Sequence, residues 1–544
     1  MFIGIDVGGT HSDGVLLAGK KILNRSKLVT DKNNLLDTVL HSLDRLLKGV
    51  NPAEISRVNL STTISTNAIV EHKTPPVGLI IQKGPGVSTD FSSLKGDIRY
   101  ISGYVDHRGK LVKTIDKEEV QQALKDFKQA GLQHLAIVSK FSPRNHKAEE
   151  AIADLAKQDF AHCSLGYRIS GKLNFPRRVN STYYNAAVHD TFAAFAREVR
   201  AALAQRNIEA EVNILKADGG TMSLQKGVEQ PVQTILSGPA ASFMGILALL
   251  PNEEDAVLLD IGGTTSDIFF VVQQSPLFES LGAEIAGEKT LVRAVFAQSI
   301  GCGGDSRITY SNNKLYIGPE REGPAVALGG PALTPTDAFI VLDKLQIGDQ
   351  AKAYKAMSNM AANIGLEVEE TAELILRQMA LKIKREVQRL LAGINAKPLF
   401  TVREVLENRR LVPREIRLIG GPAKLISPFM EECFDLPCHY PEDYAIANAI
   451  GAALAIPSLE LNLIADTGRG VLSIPELDIY ENISSRYTLR EAKERILAEL
   501  SSSPYPAEIV EAESFNMIEG YRHNFNIRIK AQLKPGLEGV LYES

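Results

Sequence analysis

Short apolar runs alternate with amphipathic segments over the first third of the chain. Val77–Ile81 and His134–Val138 are mainly apolar and have the length of buried strands, whereas Leu35–Leu47 and Lys117–Ala130 repeat apolar residues at the helical period. Because strands and helices follow one another along the chain, we expect them to stack in layers. The pattern therefore predicts an α/β architecture.

The same pattern continues through the middle of the chain. Asn180–Asn207 carries one apolar stripe and predicts a long helix that leads from a first lobe into a second. We expect the strand at Val212–Leu215 to open the second lobe. Another buried strand is predicted at Ile416–Ile419 and an amphipathic helix at Leu366–Leu391. A helix of small residues is predicted at Tyr444–Ala455, where it ends the lobe.

The chain is long enough for two or three domains, and changes in its pattern suggest where they meet. We predict an N-terminal lobe at 1–178, a second lobe at 179–457 and a small C-terminal domain at 458–544. The periodicity weakens in this last region. It still predicts a helix near Leu489–Leu500 and a strand near Asn524–Ile529, which is a small α/β appendage.

One loop sequence occurs twice, about 250 residues apart. Residues 6–13 read DVGGTHSD and residues 260–267 read DIGGTTSD, and each copy lies between apolar runs. Each copy predicts a β-hairpin with a glycine turn, whose backbone N–H groups can form a concavity that binds phosphate. The residues expected at phosphate are Gly8, Gly9, Thr10, His11, Gly262, Gly263, Thr264 and Thr265.

The aspartates of the repeated loop indicate a cation. A carboxylate beside the glycines repels bare phosphate, but Mg²⁺ binds through one or two carboxylates together with waters and phosphate oxygens. We therefore predict Asp6 and Asp260 as magnesium ligands, and we place Asp13 and Asp267 with them in the catalytic set. Hydrogen bonding or pairing at the strand ends is the alternative for these residues. For His11, phosphate contact and an ordinary exposed position both stay open.

Composition excludes several classes of function. The net charge is −5, tryptophan is absent and no basic cluster stands out, so nucleic-acid binding is not expected. No apolar stretch is long enough to span a bilayer, and the N-terminus lacks a basic signal region. The four scattered cysteines suit the cytoplasm. Cys433, Cys438 and His439 lack a fourth ligand at metal spacing, so packing is expected there rather than zinc.

Taken together, these motifs resemble the actin-like ATPase superfold of sugar kinases, actin and heat-shock chaperones. The shared order of elements is a phosphate loop at 6–13, a connecting helix, a second phosphate loop at 260–267, an adenosine segment at 416–422 and a last connecting helix at 445–455. The resemblance implies a two-lobed, ribonuclease H-like α/β fold that binds ATP and Mg²⁺ in its cleft. It also places Gly420 and Gly421 against the adenosine.

Three further segments resemble the A subunit of the hydantoinase/oxoprolinase family, and the likeness covers about residues 1–455. They are LSTTISTNA at 60–68, ADGGTMS at 217–223 and PVQTILSGPA at 231–240. The resemblance implies an ATP-dependent hydrolase subunit that phosphorylates the carbonyl oxygen of a cyclic amide of the hydantoin or 5-oxoproline type. It also implies a hydantoinase B-type partner subunit. Homo-oligomer formation stays open.

Candidate substrate contacts lie in these segments. They are Thr63, Asn67, Asp218 and Ser237. Each has a structural alternative, because Thr63 and Asn67 suit the cap of a helix that starts near Ala68, while Asp218 and Ser237 precede glycines and suit turns. Residues 301–331 are rich in glycine and proline and predict a long functional loop.

The chain departs from the family pattern in its first phosphate loop, where His11 replaces the usual phenylalanine and Ser12 the usual threonine. This leaves the substrate open. Alternatives are the ATPase subunit of a ketone carboxylase, an actin-like factor that uses ATP to reactivate a partner protein, and a small-molecule kinase. The hydrolase and carboxylase predict ATP turnover stimulated by a small molecule, whereas the reactivating factor predicts stimulation by a protein.

Overall fold

The N-terminal hairpin is part of a six-stranded sheet. The computed structural model describes residues 1–9, 11–31, 35–250, 254–272, 275–279, 281–396, 410–519 and 522–541. Phe2–Val7 pairs antiparallel with His11–Ala18, which forms the first hairpin, and parallel with Arg57–Thr62. The strands lie in the order Thr221–Ser223, Glu211–Leu215, Arg57–Thr62, Phe2–Val7, His11–Ala18 and Lys21–Val29.

This first sheet corrects one prediction. The strand predicted at Val212–Leu215 exists as Glu211–Leu215, but it pairs parallel with Arg57–Thr62 of the first sheet, so the prediction that it opens the second lobe was wrong. Its buried residue Ile214 packs in the core around Leu60, whereas Leu215 packs with Ala240 and Ala241. The hydrophobic pattern predicts that a strand is buried, but it does not predict which other strand pairs with it. The domain boundaries at 178 and 457 stay predictions.

A second, wholly parallel sheet completes the N-terminal part. Its strands lie in the order His162–Leu165, His134–Ser139, Val77–Gln82 and Asp97–Tyr100, and the predicted strands at 77–81 and 134–138 are confirmed. Parallel sheets are covered on both faces, which explains why the two central strands, Val77–Gln82 and His134–Ser139, are buried along their whole length. Minor hairpins join Tyr104–Val105 to Leu111–Lys113 and Glu284–Ile285 to Glu288–Lys289.

The predicted helices are confirmed with small shifts at their ends. The helices of the described chain are Leu35–Leu46, Ile64–Val70, Lys117–Gln129, Lys147–Ala156, Gly166–Ile169, Phe175–Gln205, Leu224–Glu229, Ser237–Leu249, Pro335–Val341, Gln350–Ile364, Val368–Asn395, Ala423–Phe434, Ala447–Leu454 and Leu489–Leu500. The longest of them, Phe175–Gln205, starts at a cap in which Asn174 accepts from the backbone N–H of Arg177. It packs against both sheets of the N-terminal part.

The second lobe is built on a second glycine hairpin. Ala256–Ile261 pairs antiparallel with Ser266–Val272, which forms the second hairpin, and parallel with Glu415–Ile419. The sheet order is Ser275–Pro276, Ser266–Val272, Ala256–Ile261, Glu415–Ile419 and Cys438–His439, with Gln298–Ile300 added beside Ser266–Val272. The first sheet repeats this arrangement of an antiparallel hairpin beside a parallel strand.

The glycine-rich segment 301–331 is not one continuous loop. Ile308–Ser311 and Lys314–Ile317 form a hairpin within it, with a turn at Asn312 and Asn313, which both adopt positive φ. Asparagine tolerates this conformation, so the turn is favourable. Only the parts of the segment on either side of the hairpin correspond to the predicted loop.

The C-terminal region forms its own sheet, as the sequence predicts. Its strands lie in the order Ile479–Asn482, Val471–Ile474, Leu459–Asp466, Arg522–Leu533 and Ala507–Glu519. The helix Leu489–Leu500 buries Ala492, Ile496 and Leu500 against this sheet, and its core is separate from those of the lobes.

Glu460 joins this C-terminal sheet to the first lobe and gives a stability prediction. Its carboxylate lies 2.7 Å from Lys172 Nζ and 3.0 Å from Lys530 Nζ. Burial alone raises the pKa of Glu460, but the two ammonium groups outweigh it and lower the pKa to about 2. The unfolded value is about 4.5, so this stabilisation is complete above that pH and is lost as the pH falls from about 4.5 to about 2.

Glu460→Gln is expected to lower the free energy of unfolding at pH 7 by about 2 kcal/mol. Urea unfolding at pH 7 and pH 3 measures the effect, and the gap between variant and wild type should narrow at pH 3. Exposed Glu494→Gln in the same domain is the control. An equal gap at both pH values would rule out this electrostatic account.

Candidate active site

The two hairpins have matching turns. Asp6 lies opposite Asp13 across the first hairpin, and Asp260 lies opposite Asp267 across the second. The backbone N–H of Gly8 donates to His11 O at 3.0 Å, and that of Gly262 donates to Thr265 O at 2.9 Å. The repeated sequence therefore folds as the repeated turn that it predicts. Thr10 lies outside the described residues.

Glycine is required where these turns are crowded. A Cβ on Gly8 would come 2.8 Å from His11 O, and one on Gly263 would come 2.8 Å from Asp305 Oδ2. Gly9 is less crowded, since its Cβ would lie 3.4 Å from Asn67 Nδ2. In each turn the second glycine thus faces a polar side chain from another segment, which narrows the space above the turn.

A helix of small residues brings the two hairpins together. Ala447–Leu454 packs on the first hairpin so closely that a Cβ on Gly4 would come 2.1 Å from Ala449 O. On its other side it meets the helix Ser237–Leu249, where a Cβ on Gly451 would come 2.3 Å from Gly245 N. The absence of side chains at these contacts allows the two lobes to approach along this helix.

Asn448 on this small-residue helix connects the two repeated loops. Its Nδ2 donates to Asp6 Oδ2 at 3.4 Å, and its side chain also hydrogen-bonds Asp260. Ser242 Oγ donates to Asp260 Oδ2 at 2.6 Å from the neighbouring helix. Asp6 and Asp260 therefore lie close together, and one amide orients both.

Burial raises the pKa of all four aspartates, and neighbouring carboxylates raise those of Asp6, Asp260 and Asp267 further. Burial raises the pKa of Asp6 to about 6, and the nearby charges of Asp13 and Asp260 add to the effect. Burial and the charge of Asp260 raise the pKa of Asp267 to about 6. Burial also raises the pKa of Asp13, although Lys27 Nζ donates to it at 2.7 Å and lowers it. The pKa of Asp260 is likewise raised by burial. The site thus concentrates negative charge away from water.

This donor set fits a hard divalent cation. Asp6 is only 7% exposed, and its Oδ1 accepts no hydrogen bond of normal geometry from the described residues, although Ser61 is near enough to lower the pKa of Asp6. Carboxylate oxygens are preferred ligands of Mg²⁺, and a cation would neutralise the repulsion among the aspartates. Metal binding by Asp6 and Asp260 stays a prediction.

The two glycines of the predicted adenosine segment differ. Gly420 has φ of +91°, and a Cβ there would come 2.3 Å from Ile261 O and 2.6 Å from Asp260 Oδ1. Gly421 has no atom within 4 Å of its Cβ position, so it borders open space. Gly420 is therefore needed for packing beside Asp260, and adenosine contact by either glycine stays a prediction.

Two of the four candidate substrate residues adjoin the first turn. Thr63 and Asn67 line a cavity of about 270 Å³ together with Gly8 and Gly9. The helix here begins at Ile64 and not near Ala68, and Thr63 occupies its N-cap position. The Thr63 hydroxyl makes no capping hydrogen bond and instead accepts from Asn67 Nδ2 at 3.2 Å.

The other two candidates are held by neighbouring backbone and side chains. Asp218 accepts from Ser458 Oγ at 3.0 Å and from Gly220 N at 3.0 Å, and it lines a different cavity from Thr63. Ser237 Oγ donates to Thr62 O at 2.9 Å. These contacts match the turn alternative for Asp218, and they place Ser237 at the start of a helix beside the first turn.

His11 is exposed at the start of the second strand of the first hairpin. Its backbone carbonyl closes the first turn, and its side chain lies near enough to Asp13 to lower the pKa of that carboxyl. Phosphate contact by His11 stays a prediction.

Several residues of the site were not predicted from the sequence. Lys27 reaches Asp13 only because their strands pair in register. Ser299 hydrogen-bonds Asp267, and Asp305 faces Gly263 and pairs with Arg321 at 3.0 Å. The glycine pair at 303–304 was the only sequence feature that pointed to Asp305. In the structure, the backbone N–H groups of Gly304 and Asp305 donate to the carbonyls of Gly262 and Gly263 in the second turn.

Replacing Asn448 with leucine, a side chain of similar size, is expected to lower kcat/KM for ATP hydrolysis by roughly tenfold to a hundredfold. Hydrogen bonds to charged groups contribute about 1.5–3 kcal/mol, and here one amide orients two carboxylates. Steady-state kinetics measure the loss. Asn363→Leu on an exposed helix face is the control and should leave kcat/KM unchanged. Wild-type kcat/KM in Asn448→Leu would contradict the orienting role.

The paired hairpins and their sheets define a two-lobed α/β protein of the actin-like ATPase fold. Two solved structures share this fold along almost the whole chain. Nucleotide-free acetone carboxylase aligns with a TM-score of 0.70 at 16% identity, covering 98% of this chain and 88% of that chain. The ATP-dependent caprolactamase of Pseudomonas jessenii aligns with a TM-score of 0.69 at 18% identity, covering 99% and 88%.

The chain belongs to the hydantoinase/oxoprolinase family. Residues 178–460 match the hydantoinase/oxoprolinase family itself, and residues 2–160 match its N-terminal region. The acetophenone carboxylase gamma subunit of Aromatoleum aromaticum is 25% identical, over 71% of this chain and 61% of its own length. 5-oxoprolinase 1 of Arabidopsis thaliana is 24% identical, over 62% of this chain and 31% of its own length.

The chain spans less than two thirds of the length of the curated relatives it matches, for example 61% of the acetophenone carboxylase gamma subunit and 31% of 5-oxoprolinase 1. Among the described residues, no helix combines the length and apolar composition needed to cross a membrane.

Proposed function

We propose that this chain is the ATP-dependent subunit of a hydrolase that opens a cyclic amide of the hydantoin or 5-oxoproline type. The observation that carries the proposal is the pair of matching turns, of which Asp6 and Asp260 both hydrogen-bond Asn448. Two phosphate-binding turns that face one cleft suit a nucleotide with several phosphates better than a single phosphate group. Membership of the family supports the choice of reaction.

In this proposal the backbone N–H groups of both turns hold the β- and γ-phosphates of ATP. Asp6 and Asp260 hold Mg²⁺, which supplies the positive charge that lets phosphate approach the aspartates. Gly421 leaves room for the adenosine. Phosphoryl transfer depends mainly on positioning and charge neutralisation, which such a site provides without a covalent nucleophile.

The substrate is placed in the cavity lined by Thr63 and Asn67 beside the first turn. Its carbonyl oxygen forms a bond to the terminal phosphorus of ATP as the bond to the β-phosphate oxygen breaks, and ADP leaves. A first water adds to the activated carbon and the ring C–N bond breaks, the nitrogen taking up a proton, which leaves an acyl phosphate. A second water then cleaves the acyl phosphate to a carboxylate and free phosphate. The amide of Asn67 can donate to a substrate carbonyl, and Thr63 can orient that amide.

A partner subunit completes the proposal. The relative from Aromatoleum aromaticum is a gamma subunit, so that protein functions within a larger enzyme. We propose a hydantoinase B-type partner for this chain, which would supply the residues for the hydrolytic step.

The second candidate is the ATPase subunit of a ketone carboxylase. Both the acetophenone carboxylase gamma subunit and the acetone carboxylase structure favour it. In that reaction the cleft of this chain would bind ATP in the same way, and the substrate cavity would accept a ketone.

ATP hydrolysis by the purified chain tests these alternatives. Assays with Mg²⁺ should include a hydantoin, 5-oxoproline, caprolactam and acetophenone, with and without a hydantoinase B-type protein from the same genome. Stimulation by a cyclic amide supports the hydrolase, and stimulation by the ketone with bicarbonate supports the carboxylase. Turnover that responds only to a protein and to none of these compounds would replace both by a reactivating factor. EDTA should abolish turnover in every case.

A further inference from the structure

A second polar cavity lies between the first lobe and the C-terminal domain. Its volume is about 280 Å³. The first lobe contributes Arg108, Arg144, His146 and Lys147 to its wall, and the C-terminal domain contributes Arg469 and Tyr480. It shares no lining residue with the cavity beside the first turn.

Positive charge exceeds negative charge around this second cavity. Its acidic lining residues, Asp466 and Glu481, are already paired, because Arg108 donates two hydrogen bonds of 2.7 Å to Asp466 and Glu481 pairs with Arg495. Arg144 is only 9% exposed and forms no ion pair among the described residues; it donates to the neutral Asn526 Oδ1 at 3.3 Å.

The surroundings of Arg144 are unfavourable for its charge. Burial lowers the pKa of Arg144 to about 10, and the neighbouring charges of Arg528, Arg469 and Arg108 act in the same direction against one attraction from Asp466. A buried guanidinium surrounded by like charges is stabilised by an anion.

Three residues on the wall of this cavity carry buried polar atoms without a hydrogen-bond partner among the described residues. These atoms are Arg144 Nε, His146 Nδ1 and Tyr480 Oη. The other ring nitrogen of His146 pairs with Glu150 at 3.1 Å, and the His146 and Tyr480 rings are in contact at a tilt of 37°, with centroids 3.7 Å apart. Buried polar atoms are nearly always paired, so these three leave unmet hydrogen-bonding capacity beside the cavity.

We propose that this cavity binds a small oxyanion, a carboxylate or a phosphate group, through Arg144 and Arg469, at a site separate from the nucleotide cleft. The guanidinium groups provide the planar donors that such groups accept in pairs. His146 and Tyr480 then contact a polar group at the other end of the ligand. Because Arg144 and Arg469 come from different domains, the bound anion also holds the C-terminal domain against the first lobe.

Isothermal titration calorimetry of the full chain tests this site, with inorganic phosphate and succinate as separate probes at low ionic strength. Arg469→Gln and Arg144→Gln should each weaken binding of the preferred probe by at least about tenfold. Arg490→Gln, which removes an exposed arginine of the same domain, should leave the affinity unchanged. The probe that binds more tightly identifies the ligand as a phosphate or a carboxylate.

The controls keep the test decisive. Arg469 is only partly buried, so Arg469→Gln remains informative if Arg144→Gln does not fold. Wild-type affinity in Arg469→Gln would mean that the probe binds elsewhere, including the nucleotide cleft, and would overturn the proposal. Failure of both probes to bind the wild-type chain would overturn it as well, whatever the outcome of the ATPase assays.

Discussion

Replacing Asp6 or Asp260 with asparagine is expected to lower kcat for ATP hydrolysis by about 10²–10³-fold. Either change removes a ligand charge from the proposed Mg²⁺ site, and such metal–phosphate interactions contribute several kcal/mol to the transition state. The amide can still accept hydrogen bonds from Ser242 or Asn448, so the local geometry is kept. Steady-state kinetics at saturating Mg²⁺ and ATP measure the effect.

Both variants should fold as well as the wild type. In the wild type, burial and neighbouring carboxylates raise the pKa of Asp6 to about 6, which means that ionising it at pH 7 costs free energy in the folded state. Asparagine removes that cost, so the urea midpoint without Mg²⁺ should stay equal or rise. The exposed Asp154→Asn is the charge-matched control for both measurements. Wild-type kcat in both variants would remove Asp6 and Asp260 from the metal site.

Gly420→Ala is expected to lower the free energy of unfolding by about 2–4 kcal/mol. Its φ of +91° strains any residue with a Cβ, and that Cβ would come 2.3 Å from Ile261 O. The clash lies at the pairing of Ala256–Ile261 with Glu415–Ile419, so it also displaces Asp260. Urea denaturation and ATP turnover should both show the loss.

Gly421→Ala provides the matched control, because nothing lies within 4 Å of its Cβ position. It should leave the urea midpoint unchanged while raising the KM for ATP, since the added methyl occupies space proposed for the adenosine. Equal losses in the free energy of unfolding for the two variants would show that the loss in Gly420→Ala does not come from the contacts of Gly420.

The sequence pattern predicts an element well where the residues that form it are contiguous in the chain. The repeated loop predicts both hairpins, because strand, glycine turn and strand are contiguous. The helix at Leu489–Leu500 follows from its own apolar face and capping box. Strand pairing between distant segments does not follow in this way, and Glu211–Leu215 accordingly joined the first sheet against prediction.

The same distinction applies to the site residues. The turns and their aspartates are visible in the sequence because they lie within eight residues of one another. Asn448 is not, since its role exists only where a helix from the second lobe crosses the first hairpin. Gly420 and Gly421 look equivalent in sequence, and only the packing beside Asp260 distinguishes them.

The central claim is that the two hairpins form one site for ATP with Mg²⁺. Isothermal titration of ATP into the purified chain with Mg²⁺ tests it most directly. We predict saturable binding to a single site, weakened strongly by EDTA and by Asp6→Asn. Absence of saturable ATP binding in the presence of Mg²⁺ would contradict the claim.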